Sequence, residues 1–199
     1  MIASTPAGTE RVVLLDEQGR ASGTAAKADV HHAATPLHLA FSCYVFDPDD
    51  RLLMSRRALT KHTFPGVWTN SACGHPEPSE PIEDAVRRRV AHELGIVLEG
   101  LRLVLPEFRY TATMDGVVEN EMCPVWVATT RDQPTLDHSE VESVRWEPWS
   151  DFSREVLDGS WGVSSWCHSQ VALLNALGPR PASWPTANPG RLPPAARPA

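Results

Sequence analysis

Two short stretches, Cys73-Gly74-His75 and Glu119-Asn120-Glu121, hold side chains whose types and spacing could carry out a reaction. A cysteine beside glycine and histidine can act as a thiolate, a nucleophile or an acid/base group. It can equally be a small buried apolar residue followed by a turn. Glu119 and Glu121 are two apart in a segment that reads as a strand, so they point to one face. Two carboxylates on one apolar face repel unless a cation or a proton lies between them. The alternative is an exposed edge strand with both acids in water. If His31, His38 and His75 converge on these acids, three imidazoles and two carboxylates would suit Mn, Zn or Fe.

The elements around these residues can be read from pattern. Arg11 to Gly23 reads as a strand running into a polar turn at Asp16–Gly19. Residues 37–57 read as a hairpin about Asp47-Pro48-Asp49-Asp50. Residues 58–79 lack periodicity and are punctuated by Pro and Gly; a stretch of that length inside a compact domain points to function. Glu80 to Leu94 is the clearest helix. Ser79 is its candidate cap, Gly95 its stop, and Ile82, Ala85, Val86, Val90 and Leu94 its apolar stripe, with Arg87, Arg88 and Arg89 largely on the other faces. Strands are predicted at 101–113, 117–129 and 141–147, and helices at 149–158 and 164–177. Strands alternate with helices only in part, which predicts an α/β fold with a mixed sheet flanked by helices.

The chain has 199 residues, enough for one domain with a real core. We expect that domain to span 1–178. The last 21 residues hold seven prolines, three arginines and no acid, and predict a disordered tail over 179–199. A net charge of -7 argues against non-specific nucleic-acid binding, while leaving room for a local cluster of cations around an anionic small molecule. No run reaches the roughly 18 apolar residues of a membrane helix, and the first ten residues lack a secretory pattern. Four dispersed cysteines then read as free thiols in a reducing cytoplasm. Cys43, Cys123 and Cys167 read as packing.

The spacing after Gly74 adds a second layer. Gly74, five residues, Glu80, seven residues, then Arg88-Arg89-Val90-Ala91-His92-Glu93-Leu94-Gly95-Ile96 resembles the Nudix box, a loop–helix–loop that holds Mg²⁺ against a diphosphate. Arg89 and His92 stand where Nudix hydrolases carry two of the box's glutamates, leaving Glu93. Hydrolysis needs several carboxylates for metal and water, so the scaffold and diphosphate binding are expected to persist without it.

The wider pattern is similar to the type I isopentenyl-diphosphate delta-isomerases, which use a Nudix scaffold. It is carried by His38-Leu39-Ala40-Phe41-Ser42, Arg56-Arg57-Ala58-Leu59-Thr60-Lys61, Pro65-Gly66-Val67-Trp68-Thr69-Asn70-Ser71-Ala72-Cys73-Gly74-His75-Pro76, Phe108-Arg109-Tyr110 and Val118-Glu119-Asn120-Glu121-Met122-Cys123-Pro124. It covers about residues 10–177 and implies an α/β/α sandwich with a Nudix-like core near 36–170.

The resemblance assigns roles. It implies a metal site of His31, His38, His75, Glu119 and Glu121, with His31 preferred to His32 by its spacing to His38. Cys73 and Glu121 match the acid/base pair, Tyr110 the tyrosine that assists Glu121, and Trp166 the indole facing the reacting carbon. Glu93 and the carbonyl of Cys73 match a second cation site formed with the diphosphate. Lys27, Arg57, Lys61 and Arg89 match the residues that grip it. The implied cofactors are Mn, Zn or Mg at the His/Glu site and Mg with the substrate. The implied reaction converts isopentenyl to dimethylallyl diphosphate through a tertiary cation, which an indole face stabilises by roughly 0.5–2 kcal/mol. The implied protein is a monomer or weak homodimer. A Nudix hydrolase would need the missing box carboxylates, a non-catalytic binding module would lack Cys73 or Glu121, and a Cys73–His75 hydrolase would leave the five-residue cluster without a role.

Overall fold

The computed structural model describes residues 10–197. In chain order the strands and helices are β1 (Arg11–Leu15), β2 (Ala21–Ala26), α1 (Lys27–Val30), β3 (His38–Leu39), β4 (Phe41–Phe46), β5 (Arg51–Arg57), β6 (Trp68–Thr69), β7 (Ala72–Gly74), α2 (Ile82–Leu94), β8 (Glu99–Leu105), β9 (Arg109–Met114), β10 (Val117–Met122), β11 (Val125–Thr129), β12 (Val141–Pro148), α3 (Trp149–Leu157) and α4 (Ser165–Ala176). They form a mixed α/β architecture of two sheets flanked by helices, as expected.

The smaller sheet runs β2-β1-β3-β10-β9, and the larger follows the path β12-β5-β4-β11-β8. Two chain segments cross from one sheet to the other together. β3 lies parallel to β10 in the smaller sheet, and β4 lies parallel to β11 in the larger. Between them Ala40 N donates to the Met122 carbonyl at 2.9 Å and Ser42 N to the Pro124 carbonyl at 3.1 Å. The strand expected over 117–129 is therefore two strands. Pro124 has no N–H to offer a ladder, and the chain changes sheet there. The strand expected over 101–113 is likewise broken, at 106–108, into β8 and β9 of different sheets.

The expected hairpin begins at Phe41, not at Leu37. β4 and β5 pair only at Phe46↔Leu52 and then splay. β7 fills the gap on the β4 side, with Phe41↔Gly74, Ser42↔Cys73 and Cys43↔Ala72 in register. β6 fills it on the β5 side, with Ser55↔Thr69 and Arg56↔Trp68. The aperiodic region thus feeds two short strands into the centre of a sheet.

β4 is buried along its whole length and shows two faces to two cores. Phe41, Cys43 and Val45 pack with Val86, Val90 and Leu94 of α2. Tyr44 and Phe46 pack on the other side with Phe152 of α3 and Trp166 and Leu174 of α4. The α2 stripe is buried as predicted, but the helix starts at Ile82 with Pro81 as its N-cap. Ser79 sits instead in a left-handed turn at φ 68°. Gly95 ends the helix at φ 64°, a conformation glycine adopts without steric penalty. Arg89 does not share the outer faces. It and Glu93 lie on the buried stripe one turn apart, with Arg89 only 3% exposed.

The C-terminal segment corrects the expectation of a disordered tail. Residues 179–197 wrap the domain in short 3-10 turns, Pro181–Ser183, Pro189–Arg191 and Pro194–Ala196. Trp184, 3% exposed, joins the α3/α4 core, and Leu192, 2% exposed, joins the α2 core. Arg102 donates to the carbonyls of Pro181 and Trp184, and Ala195 N to the Gly19 carbonyl at 3.0 Å. Proline content rules out long helices, but a tryptophan and a leucine supply apolar anchors that composition alone undercounts.

Candidate active site

A cavity of about 320 Å³ is lined by Cys73, His75, Tyr110, Glu121 and Trp166. Lys27, Arg57, Lys61 and Arg89 line the same cavity. Every catalytic and substrate-binding residue expected from the sequence therefore faces one space.

Cys73 comes from the larger sheet. Burial pushes its thiol up to about 12 even though Ser42 and Asn70 are hydrogen-bonded to it. The thiol lies 3.3 Å from Asn70 Oδ1 and 3.4 Å from Ser42 Oγ. Asn70 is fixed, because its amide nitrogen donates to the carbonyls of Cys43 at 3.1 Å and Ala72 at 2.8 Å. Its oxygen can then only accept. Ser42 Oγ accepts from Gln170 Nε2 at 2.9 Å, and Gln170 Oε1 accepts from Tyr44 at 2.9 Å. Sequence reading missed Ser42, Asn70 and Gln170 as supports. Ser42 and Asn70 lie within the motif segments without a role assigned there, and Gln170 lies four residues beyond Trp166, on the same face of α4.

Glu121 comes from the smaller sheet. It stands in register with His38 on β3 and with Tyr110 on β9. Glu119 and Glu121 are 5% and 4% exposed, so the exposed edge-strand alternative falls. The Tyr110 hydroxyl lies 2.8 Å from Oε2 of both. Burial and the two carboxylates push that phenol well up, so it remains a donor. Burial and the charge of Glu121 raise Glu119. Burial opposes ionisation of Glu121, but the neighbouring histidines outweigh it and hold the carboxyl well below its ordinary range.

His31 follows α1, His38 lies on β3, and His75 follows β7. Their ligand atoms and a Glu121 oxygen all lie within 4.8 Å of one another. His38 Nδ1 is 2.9 Å from the Pro36 carbonyl, which can only accept, so it carries the hydrogen. Burial opposes charging of this ring, but Glu121 raises its pKa and favours a proton on Nε2, 3.3 Å from Glu121 Oε1. The neutral ring that a cation requires would present a lone pair there instead, 3.2 Å from His75 Nε2. His31 Nε2 is buried without a hydrogen-bond partner and 4.0 Å from Glu121. Burial pushes His75 down to about 3, which keeps it neutral. Lone pairs and a carboxylate converging in a buried space fit a divalent cation. Glu119, also expected as a ligand, is outside this group of four and is held by Tyr110.

Glu93 accepts from Arg89, four residues earlier on α2, and lines with Cys73 a small cavity of about 30 Å³. Trp166 is buried; it packs edge-on against Phe64, ring centroids 5.0 Å apart, and with its ring tilted 32° to that of Tyr110 at 5.4 Å. Gly74 permits the close approach of α2: a Cβ there would lie 2.8 Å from Arg89 Cγ and 2.9 Å from Phe41 Cζ. Two acids in the cavity, Glu10 and Glu140, gave no signal in sequence.

Residues 36–167 match the NUDIX domain. The chain is 54% identical to an isopentenyl-diphosphate Delta-isomerase of Saccharopolyspora erythraea, over 94% of this chain and 97% of that one. It is also 54% identical to one of Mycolicibacterium vanbaalenii, over 85% and 93%. Among solved structures, DR0079 from Deinococcus radiodurans shares the fold at a TM-score of 0.64 and 16% identity, covering 82% of this chain and 98% of that one. The chain belongs to the NUDIX-domain family and, within it, to the isopentenyl-diphosphate Delta-isomerases.

Proposed function

We propose that this isomerase-family chain converts isopentenyl diphosphate to dimethylallyl diphosphate by moving two protons in the cavity between its two sheets. The observation that carries the reading is the placement of Cys73 and the Tyr110–Glu121 pair, brought from different sheets to one cavity that also holds Trp166 and four cationic side chains.

The substrate's double bond gains a proton at C4, leaving a tertiary cation at C3, and loss of a proton from C2 forms the new double bond. Cys73 and Glu121 with Tyr110 supply the two transfers and exchange roles in the reverse direction. The indole of Trp166, which lines the cavity, would stabilise that cation. Such a cation survives only where water is excluded, so the cavity would have to be closed over the substrate during the reaction. Lys27, Arg57, Lys61 and Arg89 hold the diphosphate.

His31, His38, His75 and Glu121 would hold a divalent cation, Mn, Zn or Mg, with Glu119 beside them on the same strand face, held by Tyr110. When bound, that ion supplies positive charge beside Glu121 and lowers its basicity. Glu93 and the Cys73 carbonyl are the groups that would take an Mg ion arriving with the diphosphate. Residues 10–197 act as one catalytic domain on a small-molecule substrate. No helix among the described residues is long and apolar enough to cross a membrane.

Proton NMR of the protein with isopentenyl diphosphate and Mg²⁺ in D₂O tests the reading. Dimethylallyl diphosphate carrying deuterium, absent with Cys73→Ala, is the expected result. An unchanged substrate spectrum would sink the isomerase reading, and released phosphate would replace it with hydrolysis.

A further inference from the structure

The cations that line the cavity are already paired. Lys27 Nζ lies 2.6 Å from Glu10 Oε2. Lys61 Nζ donates to Glu140 Oε2, and Arg89 Nη2 donates to the same oxygen at 3.2 Å and to Glu93. Arg57 instead gives its Nε and Nη2 to the carbonyl and hydroxyl of Thr63, at 2.8–3.0 Å.

Glu140 differs from the other two acids because one oxygen holds cations from two separate elements, the turn after β5 and helix α2. Its backbone is anchored. The Glu140 carbonyl accepts from Ala58 N at 3.0 Å and its N–H donates to the Asp137 carbonyl at 2.9 Å, which holds the base of the side chain at the pocket wall. Burial favours its neutral form, but Arg89 and Lys61 outweigh that and lower its pKa. It is therefore an anion at neutral pH. Arg89 keeps one buried donor, Nε, without a partner. A single side-chain oxygen bridging an ammonium and a guanidinium occupies the position a phosphate oxygen would take.

We propose that Glu140 is an affinity-determining residue: a resident carboxylate that competes with the substrate's diphosphate for Lys61 and Arg89. This inference rests on the cavity being the diphosphate site. Before substrate arrives, Glu140 keeps two buried cations compensated and correctly turned. When a diphosphate binds, the carboxylate must yield both contacts while remaining nearby as a like charge, which weakens the hold on substrate and product alike. The pocket thus captures a diphosphate without sealing it in.

The test is calorimetric binding of inorganic pyrophosphate with Mg²⁺ to the wild type, Glu140→Gln and Glu140→Asp. The glutamine keeps the shape and removes the charge, and should bind about tenfold more tightly. The aspartate keeps the charge but is too short to bridge both cations, and should bind about threefold more tightly. In a Lys61→Gln background the gain from Glu140→Gln should shrink, because one contested cation is gone. Melting curves with and without pyrophosphate establish that each variant is folded, and the aspartate serves if the glutamine does not fold. Equal or weaker binding in the folded variants overturns the proposal and makes Glu140 a positioning residue only. Failure of the wild type to bind pyrophosphate would instead overturn the diphosphate reading beneath it.

Discussion

Tyr110 stands directly opposite Glu121 in the β9–β10 register, and its hydroxyl meets the Glu121 carboxylate at 2.8 Å. The same hydroxyl meets Glu119 at 2.8 Å, yet it has one hydrogen to give. A buried phenol between two acids is thus a place where a proton can be held and passed. The ring itself is anchored against Phe108 and Trp166, with centroids 6.0 and 5.4 Å away. Tyr110→Phe should therefore fold normally and lose turnover by about 10²- to 10⁴-fold, with KM changed far less. Steady-state kinetics decide it. A loss in KM with turnover intact would assign Tyr110 to binding.

The histidine cluster predicts one divalent ion per chain. Purified protein should carry one equivalent by elemental analysis, and His38→Ala should carry far less, because it removes a lone pair fixed by the Pro36 carbonyl. Chelation should lower the melting temperature, since an ion bound only by the folded state stabilises it. Metal content that is the same in wild type and His38→Ala would place the ion elsewhere.

Gly74→Ala should be disruptive out of proportion to its one methyl. The added carbon meets the side chains of Arg89 and Phe41 at under 3.0 Å, so one of these buried side chains, or the element that carries it, must shift. We expect destabilisation of about 1–3 kcal/mol in urea unfolding. Weaker pyrophosphate binding should accompany it as Arg89 moves. Wild-type stability would show that the helix yields freely at this contact.

Removal of residues 178–199 should destabilise the domain. It uncovers the surfaces that Trp184 and Leu192 fill and frees Arg102 from two carbonyl acceptors. Trp184→Ala alone should cost about 3–5 kcal/mol, read from urea melts. A change below about 1 kcal/mol would mean that the tail contributes little to the core it touches.

Much of the site was legible because its residues sit in short motifs. Cys73, Gly74 and His75 are neighbours, the period of two puts Glu119 and Glu121 on one face, and the period of α2 names its apolar stripe. Arg89 shows the limit of that reading. By pattern it belonged with the outward arginines, and only the carboxylates of Glu93 and Glu140 make its burial tolerable. Glu140 lies 51 residues from Arg89 in an ordinary acidic turn, so no local signal could mark it. The tail was misread because its prolines dominate the composition, while its stability comes from two apolar side chains.

The sequence by itself determined the chemistry available: a thiol, a tyrosine, paired acids, three histidines and a set of cations, each at a spacing that local periodicity could orient. What only the tertiary structure decided was their convergence. Two parallel strand pairs, β3 with β10 and β4 with β11, cross between the sheets at Ala40 and Pro124, setting Glu121 on one sheet near Cys73 on the other. That crossing is fixed by hydrogen bonds between segments some eighty residues apart. Non-local pairing of this kind leaves no periodic trace in the chain that encodes it.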